Sequence, residues 1–160
     1  MTSPQEYFNF CKNLSIESNC LSRKIGAIIV SPDGSILSSG YNHSPLPYSC
    51  DLRYTHDLSY ITIPKQTPPK DIIKTCPRKL LHDPTLRLCP AIHAEVMAIY
   101  NCPHIPYNST LYINAEIPCK NCASLISMTG IKTIYHSIPK AYDKLGPIIL
   151  KENKITLITI

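Results

Sequence analysis

Two short motifs carry side chains suited to holding a metal ion and moving a proton: His93-Ala94-Glu95 and Pro118-Cys119-Lys120-Asn121-Cys122. Residues three apart on a helix share a face, so Cys119 and Cys122 can grip one ion. His93 adds a third donor, and three such ligands with an open fourth position are what a catalytic Zn²⁺ requires. At a helix start the partial positive charge favours thiolate over thiol. Zinc lowers the pKa of its water to about 7, and Glu95 is the candidate base for that proton. Residues two apart on a regular helix point about 200° apart. His93 must therefore lie at the irregular start of its helix for Glu95 to reach the same water. Cys-x-x-Cys alone also occurs in redox and structural zinc sites, but a structural site needs a fourth protein ligand beside these three.

The elements that must position these groups can be read from pattern. Ser3-Pro4-Gln5-Glu6 is a capping box with proline at the first helical position, predicting a helix to about residue 18. Residues 25–30 predict a buried strand, Pro32-Asp33-Gly34 a turn and residues 36–39 a second strand. No period holds over 41–88, and a structureless stretch that long is functional or stapled by a metal. Helices are expected from Pro90 to Tyr100, from Pro118 to Gly130 and over 140–150, with strands at 110–114, 131–135 and 154–160. The alternation predicts an α/β fold of three layers (α/β/α). A mixed central sheet of about five strands is flanked by helices, in one domain spanning 1–160.

Composition narrows the function. With 44% apolar and 17% charged residues, disorder is disfavoured. No window offers about 18 uncharged apolar residues, and the first residues lack a signal-peptide pattern, so no membrane association and a cytoplasmic location are expected. The net charge of +5 suits an anionic ligand. The chain has no basic run and no Trp, which argues against a nucleic-acid partner. Eight cysteines without a secretory signal point to metal or catalytic use before disulfides.

Several segments carry a family resemblance. They are Cys20-Leu-Ser-Arg-Lys-Ile-Gly-Ala-Ile-Ile-Val30, Gly40-Tyr-Asn-His-Ser-Pro45, the intervening Cys50, Cys76-Pro-Arg78 and Cys89, then 92–99, 110–131 and Tyr142. The His-x-Glu…Pro-Cys-x-x-Cys pattern is the known signature of zinc-dependent nucleobase deaminases. Together they resemble the cytidine/deoxycytidylate deaminase superfamily, and more narrowly its deoxycytidylate (dCMP) deaminases. The resemblance implies a cytidine-deaminase-like fold and hydrolytic deamination of dCMP to dUMP and ammonia. Zinc-bound hydroxide would attack C4 while Glu95 shuttles protons. It further implies that Asn42 binds the sugar hydroxyl, and that Ser44 and Tyr142 reach the 5′-phosphate with Arg23 or Lys24 supplying charge. Backbone near Ala94 and Pro118 would read the pyrimidine edge. Cys20, Cys50, Cys76 and Cys89 would hold a second, structural zinc that staples 41–88, with His56 or His82 as substitute ligands. A homo-oligomer, dimer or hexamer, is implied as well.

Alternatives remain at this point: a deaminase of dCTP or deoxycytidine, a polynucleotide deaminase, or a zinc module without catalysis. Two departures stand out. His43 occupies a position where the family usually has Gly, and the segment 112–118 is one residue longer than usual.

Overall fold

A computed structural model describes residues 2–45, 76 and 89–160. Its elements run α1 (Pro4–Ser15), β1 (Gly26–Val30), β2 (Ile36–Tyr41), α2 (Ala94–Tyr100), β3 (Thr110–Ile117), α3 (Lys120–Ser127), β4 (Thr133–Ala141), α4 (Leu145–Glu152) and β5 (Thr156–Thr159). The strands form one sheet in the order β2-β1-β3-β4-β5. β1 pairs antiparallel with β2 and β3, whereas β3–β4 and β4–β5 are parallel, each joined through a helix. The expected mixed five-strand sheet is therefore present. No described helix is long and apolar enough to cross a membrane.

β1 is central, and all five of its residues are buried, as two covered faces require. Alternation sends Ile28 and Val30 to one face, where they pack with Tyr7 and Cys11 of α1 and with Tyr112. Tyr112 stacks on Tyr135 with centroids 4.7 Å apart. Ala27 and Ile29 face the other layer with Leu111, Ile113 and Ile134, beneath Ala94 and Ala98 of α2, Ile126 of α3 and Leu150 of α4. The helices thus sit on both faces, α1 opposite α2, α3 and α4.

Close approach places α2. A Cβ on Gly40 of β2 would lie 2.3 Å from Ala98 N and 2.7 Å from Ala94 O, so only glycine lets this helix rest on the strand. Ser38 Oγ donates to Ala98 O at 2.7 Å, and Asn101 Nδ2 donates to Ser39 O at 2.8 Å, fixing the far end of α2.

Several boundaries depart from the sequence reading. The first helix has its expected capping box, with Ser3 N donating to Glu6 Oε2 at 2.6 Å, but ends at Ser15. α2 begins at Ala94 rather than Pro90, because Ile92 is held extended by paired hydrogen bonds with His43 of 3.0 and 2.8 Å. α3 begins at Lys120 rather than Pro118, with Cys119 extended as its N-cap. Residues 140–141, expected to be helical, belong to β4 because Ala141 pairs with Ile117. Tertiary pairing overrides local preference at Ile92 and at Ala141.

Gly40→Ala should destabilise the fold by about 1–3 kcal/mol through overpacking against α2. Equilibrium urea unfolding with an unchanged m-value checks this; wild-type stability would refute the close-contact argument.

Candidate metal centre

The starts of α2 and α3 converge at one point. His93 is the N-cap of α2 with φ −73° and ψ 153°, and Cys119 is the N-cap of α3 with φ −66° and ψ 167°. Neither residue is on a regular helix, so the 200° separation expected between His93 and Glu95 does not apply. His93 Nδ1 stands 3.2 Å from Cys122 Sγ and 3.6 Å from Cys119 Sγ. Among the described residues, His93, Cys119 and Cys122 form a group whose ligand atoms all lie within 4.8 Å of one another. Tetrahedral zinc with Zn–N of about 2.0–2.1 Å and Zn–S of about 2.3 Å sets nitrogen and sulfur about 3.5 Å apart. Donor type, number and spacing therefore fit one zinc ion, with a fourth position left open.

Charge is arranged around that point. A hydrogen bond from Cys122, with His93 adding to it, holds the Cys119 thiol down to about 4 against the effect of burial. The hydrogen bond with Cys119, together with burial, pushes the Cys122 thiol up, so an ion binding there would have to displace its proton. The His93 ring is raised chiefly by its hydrogen bond to Cys119, against burial and with help from the Glu95 charge. Glu95 is buried at 5% exposure, and that desolvation raises its carboxyl above the usual range. It also shares a hydrogen bond with Cys122, which brings the carboxylate to the ligand cluster.

A cavity opens beside these groups. Its lining includes His93, Ala94, Glu95 and Cys119 from the helix starts, and Ser22, Arg23 and Asn42 from the segments that lead into β1 and out of β2. Asn42 is buried, and its Oδ1 accepts from Ile25 N at 2.8 Å while Nδ2 donates to Arg23 O at 2.7 Å. Arg23 lines the cavity in a two-pronged ion pair with Glu116, one prong being Nη1 to Oε1 at 2.9 Å. Burial works against the Glu116 charge, but the guanidinium holds its carboxyl below the usual range. Tyr142 lines the same cavity and a neighbouring one that adds Lys120, Asp143 and Lys144.

Other expected site residues lie elsewhere. Ser44 is fully buried outside the cavity lining, its N–H donating to Asn19 Oδ1 at 2.8 Å. Lys24 is exposed and turns its Nζ to Ile16 O at 2.9 Å, outside the lining. Pro118 is fully buried behind Cys119, its carbonyl packed against Gly146. Cys20, Cys76 and Cys89 line the cavity, although among the described residues they are not part of the compact ligand group. Cys50, His56 and His82 lie outside the described residues.

His43 needs no left-handed backbone, since the described non-glycine residues with positive φ are Asn108 and Lys154. Its bridge to Ile92 instead ties the Gly40–Pro45 loop to the residue preceding His93. The longer 112–118 segment is absorbed as a bulge: Ile113 pairs with His136 and Glu116 with Ile138, three steps on β3 against two on β4. Asn114 in this bulge accepts from Gly26 N at 2.6 Å, and Ala115 and Glu116 line the cavity.

Three residues escaped the sequence reading. Glu116 and Ser22 have no local signal, because their partners or surroundings are remote in sequence. Asp143 had one, an acidic residue just before a helix start. Its Oδ2 accepts from Lys120 N at 2.7 Å, and Oδ1 accepts from Leu145 N at 2.9 Å and Gly146 N at 2.8 Å. One carboxylate thereby joins the starts of α3 and α4. A Cβ on Gly146 would meet Pro118 O at 2.1 Å, so the two helices meet directly behind Cys119.

Known proteins share this architecture. Residues 1–138 match the family described as the cytidine and deoxycytidylate deaminase zinc-binding region. The chain is 32% identical over 151 residues to the deoxycytidylate deaminase of Enterobacteria phage T2, covering 84% of this chain and 78% of that protein. It is 27% identical over 129 residues to that of Mycobacterium phage D29, covering 74% and 81%. Among solved structures, the dCMP deaminase of cyanophage S-TIM5, crystallised with dCMP and dUMP, superposes with a TM-score of 0.66 at 22% identity over the full length of both chains.

Asp143→Ala should cost about 1 kcal/mol of stability and weaken zinc binding about 10–100-fold in competition with a chromophoric chelator. Burial alone would raise the Asp143 carboxyl, but the backbone hydrogen bonds from Lys120, Gly146 and Leu145 hold it below the usual range. A depressed folded-state pKa contributes stability above the unfolded value of about 3.9, which is lost as pH falls through the folded value. The stability gap between wild type and Asp143→Asn should therefore hold steady above about pH 5 and close in stronger acid. Wild-type zinc affinity in Asp143→Ala would refute the role.

Proposed function

The chain belongs to the cytidine and deoxycytidylate deaminase family, and on that premise we propose that it hydrolyses dCMP to dUMP and ammonia as one deaminase domain over 1–160. The observation that carries this reading is the His93, Cys119 and Cys122 cluster with buried Glu95 hydrogen-bonded beside it at the floor of one cavity. When bound by these three residues, zinc supplies Lewis-acid activation of water, lowering its pKa to about 7.

The chain's own groups do the rest. Burial raises the Glu95 carboxyl above its usual range, which suits it to take a proton from the attacking water and give it up again. It delivers that proton to N3 as the new C4–O bond forms. The second water proton then goes to the exocyclic nitrogen as the C4–N bond breaks, so ammonia leaves and the ring keeps the oxygen. The backbone at Ala94, which lines the cavity, fixes the pyrimidine edge.

At the open side, Tyr142 and Arg23 meet the phosphate, with Glu116 orienting the guanidinium in its two-pronged pair. Asn42 serves the sugar side by holding the backbone at Arg23 and Ile25. We further propose a second zinc on Cys20, Cys76 and Cys89 with Cys50. The reading is supported by the three described thiols, remote in sequence, lining one cavity.

Ammonia release should be seen with dCMP and be weak with deoxycytidine, which lacks the phosphate. Glu95→Gln should lower kcat by at least about 10²–10⁴-fold while still binding zinc. Activity on none of dCMP, dCTP, deoxycytidine and cytidine would overturn the reading. A metal count near two per chain supports the cysteine site, and one per chain removes it.

A further inference from the structure

Ser22 is the one described residue whose buried side-chain oxygen lacks a hydrogen-bond partner within the protein. Buried polar groups are almost always paired, so an orphan in a native fold calls for an explanation. Its position supplies one. Ser22 lines the cavity that holds His93 and Glu95, next in sequence to Arg23 and on the same wall as Asn42. That wall is rigid. Arg23 is clamped to Glu116 by its side chain and to Asn42 Nδ2 by its carbonyl, and Ile25 N–H is held by Asn42 Oδ1. The neighbouring polar groups have each found a partner in the protein, and Ser22 Oγ has not.

We propose that Ser22 is a further substrate-contacting residue, its Oγ pairing with the hydroxyl of the nucleotide's sugar. The inference rests on the reading of the cavity as a nucleotide site. The reacting carbon must sit against Glu95 and the metal cluster on the helix side. Ser22, Arg23 and Asn42 line the remainder of the cavity, which is left for the part of the ligand beyond the ring. Each Asn42 carboxamide atom already carries one backbone bond, whereas the Ser22 hydroxyl carries none in the protein. A hydroxyl matches it, since each partner can donate or accept as the other requires.

The free protein gives an unusual expectation. Because Oγ has no partner to lose within the protein, Ser22→Ala should leave the Tm unchanged or raise it. The same change should raise KM for dCMP roughly five- to tenfold with kcat nearly unchanged, the size of one neutral hydrogen bond. With 2′,3′-dideoxycytidine 5′-monophosphate, which lacks the hydroxyl, wild type and Ser22→Ala should have the same KM. Ser22→Thr, which keeps the hydroxyl, should recover most of the affinity for dCMP.

Three results would overturn the assignment: an unchanged KM for dCMP, an equal loss on both nucleotides, or a fall in Tm as large as the loss of binding. A wild type that does not deaminate dCMP would overturn the activity and this assignment together. An active wild type with an indifferent Ser22→Ala would overturn the assignment alone.

Discussion

The convergence of two helix starts is the constraint on which the rest of this structure depends. His93 and Cys119 are both N-caps in extended conformation, and Cys122 lies one turn further along α3. An extended N-cap aims its side chain across the helix end instead of along the helix flank. That geometry lets a histidine and two cysteines from segments 26 residues apart or more meet within hydrogen-bonding range. Each helix start is then fixed from outside. The bridge between His43 and Ile92 stops α2 from beginning earlier, and Asp143 takes the exposed N–H of Lys120 at the head of α3. The sheet supplies the frame, with α2 resting on β2 at Gly40 and α3 beside α4 at Gly146.

The electrostatics follow from this placement. Two thiols, an imidazole and a carboxyl are packed together, and burial makes their full ionisation costly. Ionisation is divided instead: Cys119 is held as thiolate, while Cys122 and Glu95 are pushed towards their protonated forms. Such a cluster is poised to exchange protons for a cation, because binding the ion relieves the crowding of negative charge. Glu95 lies beside this group and is not one of its three members.

The cavity has two walls of different origin. The helix side carries the ligands and Glu95 on α2 and at the α3 N-cap, elements anchored in the largest apolar cluster. The other wall comes from the connection into β1, from Asn42 just after β2 and from the bulged end of β3. Side-chain-to-backbone bonds and the Arg23–Glu116 pair hold that second wall in place.

The sequence by itself pointed to the clustered histidine and cysteines, to the carboxyl beside them and to the layer order, because these rest on local signals. The spacing of Cys119 and Cys122, the His93–Glu95 pair, the capping box at Ser3 and the alternation of apolar segments are all short-range patterns. Even the irregular position of His93 was legible, since a regular helix would have turned Glu95 away. Only the tertiary structure decided which backbone began each helix, because strand-like pairing of Ile92 with His43 and of Ala141 with Ile117 overrode the proline signals nearby. It also decided the fates of the residues expected to bind the substrate. Lys24 turned to a helix end, Ser44 was buried against Asn19 and Arg23 was paired with Glu116 from 93 residues away, while Ser22, which carries no local signal, lines the cavity with its buried oxygen unpartnered. The reason is physical: a side chain's partners depend on which remote segments the sheet brings beside it, and no local period encodes that.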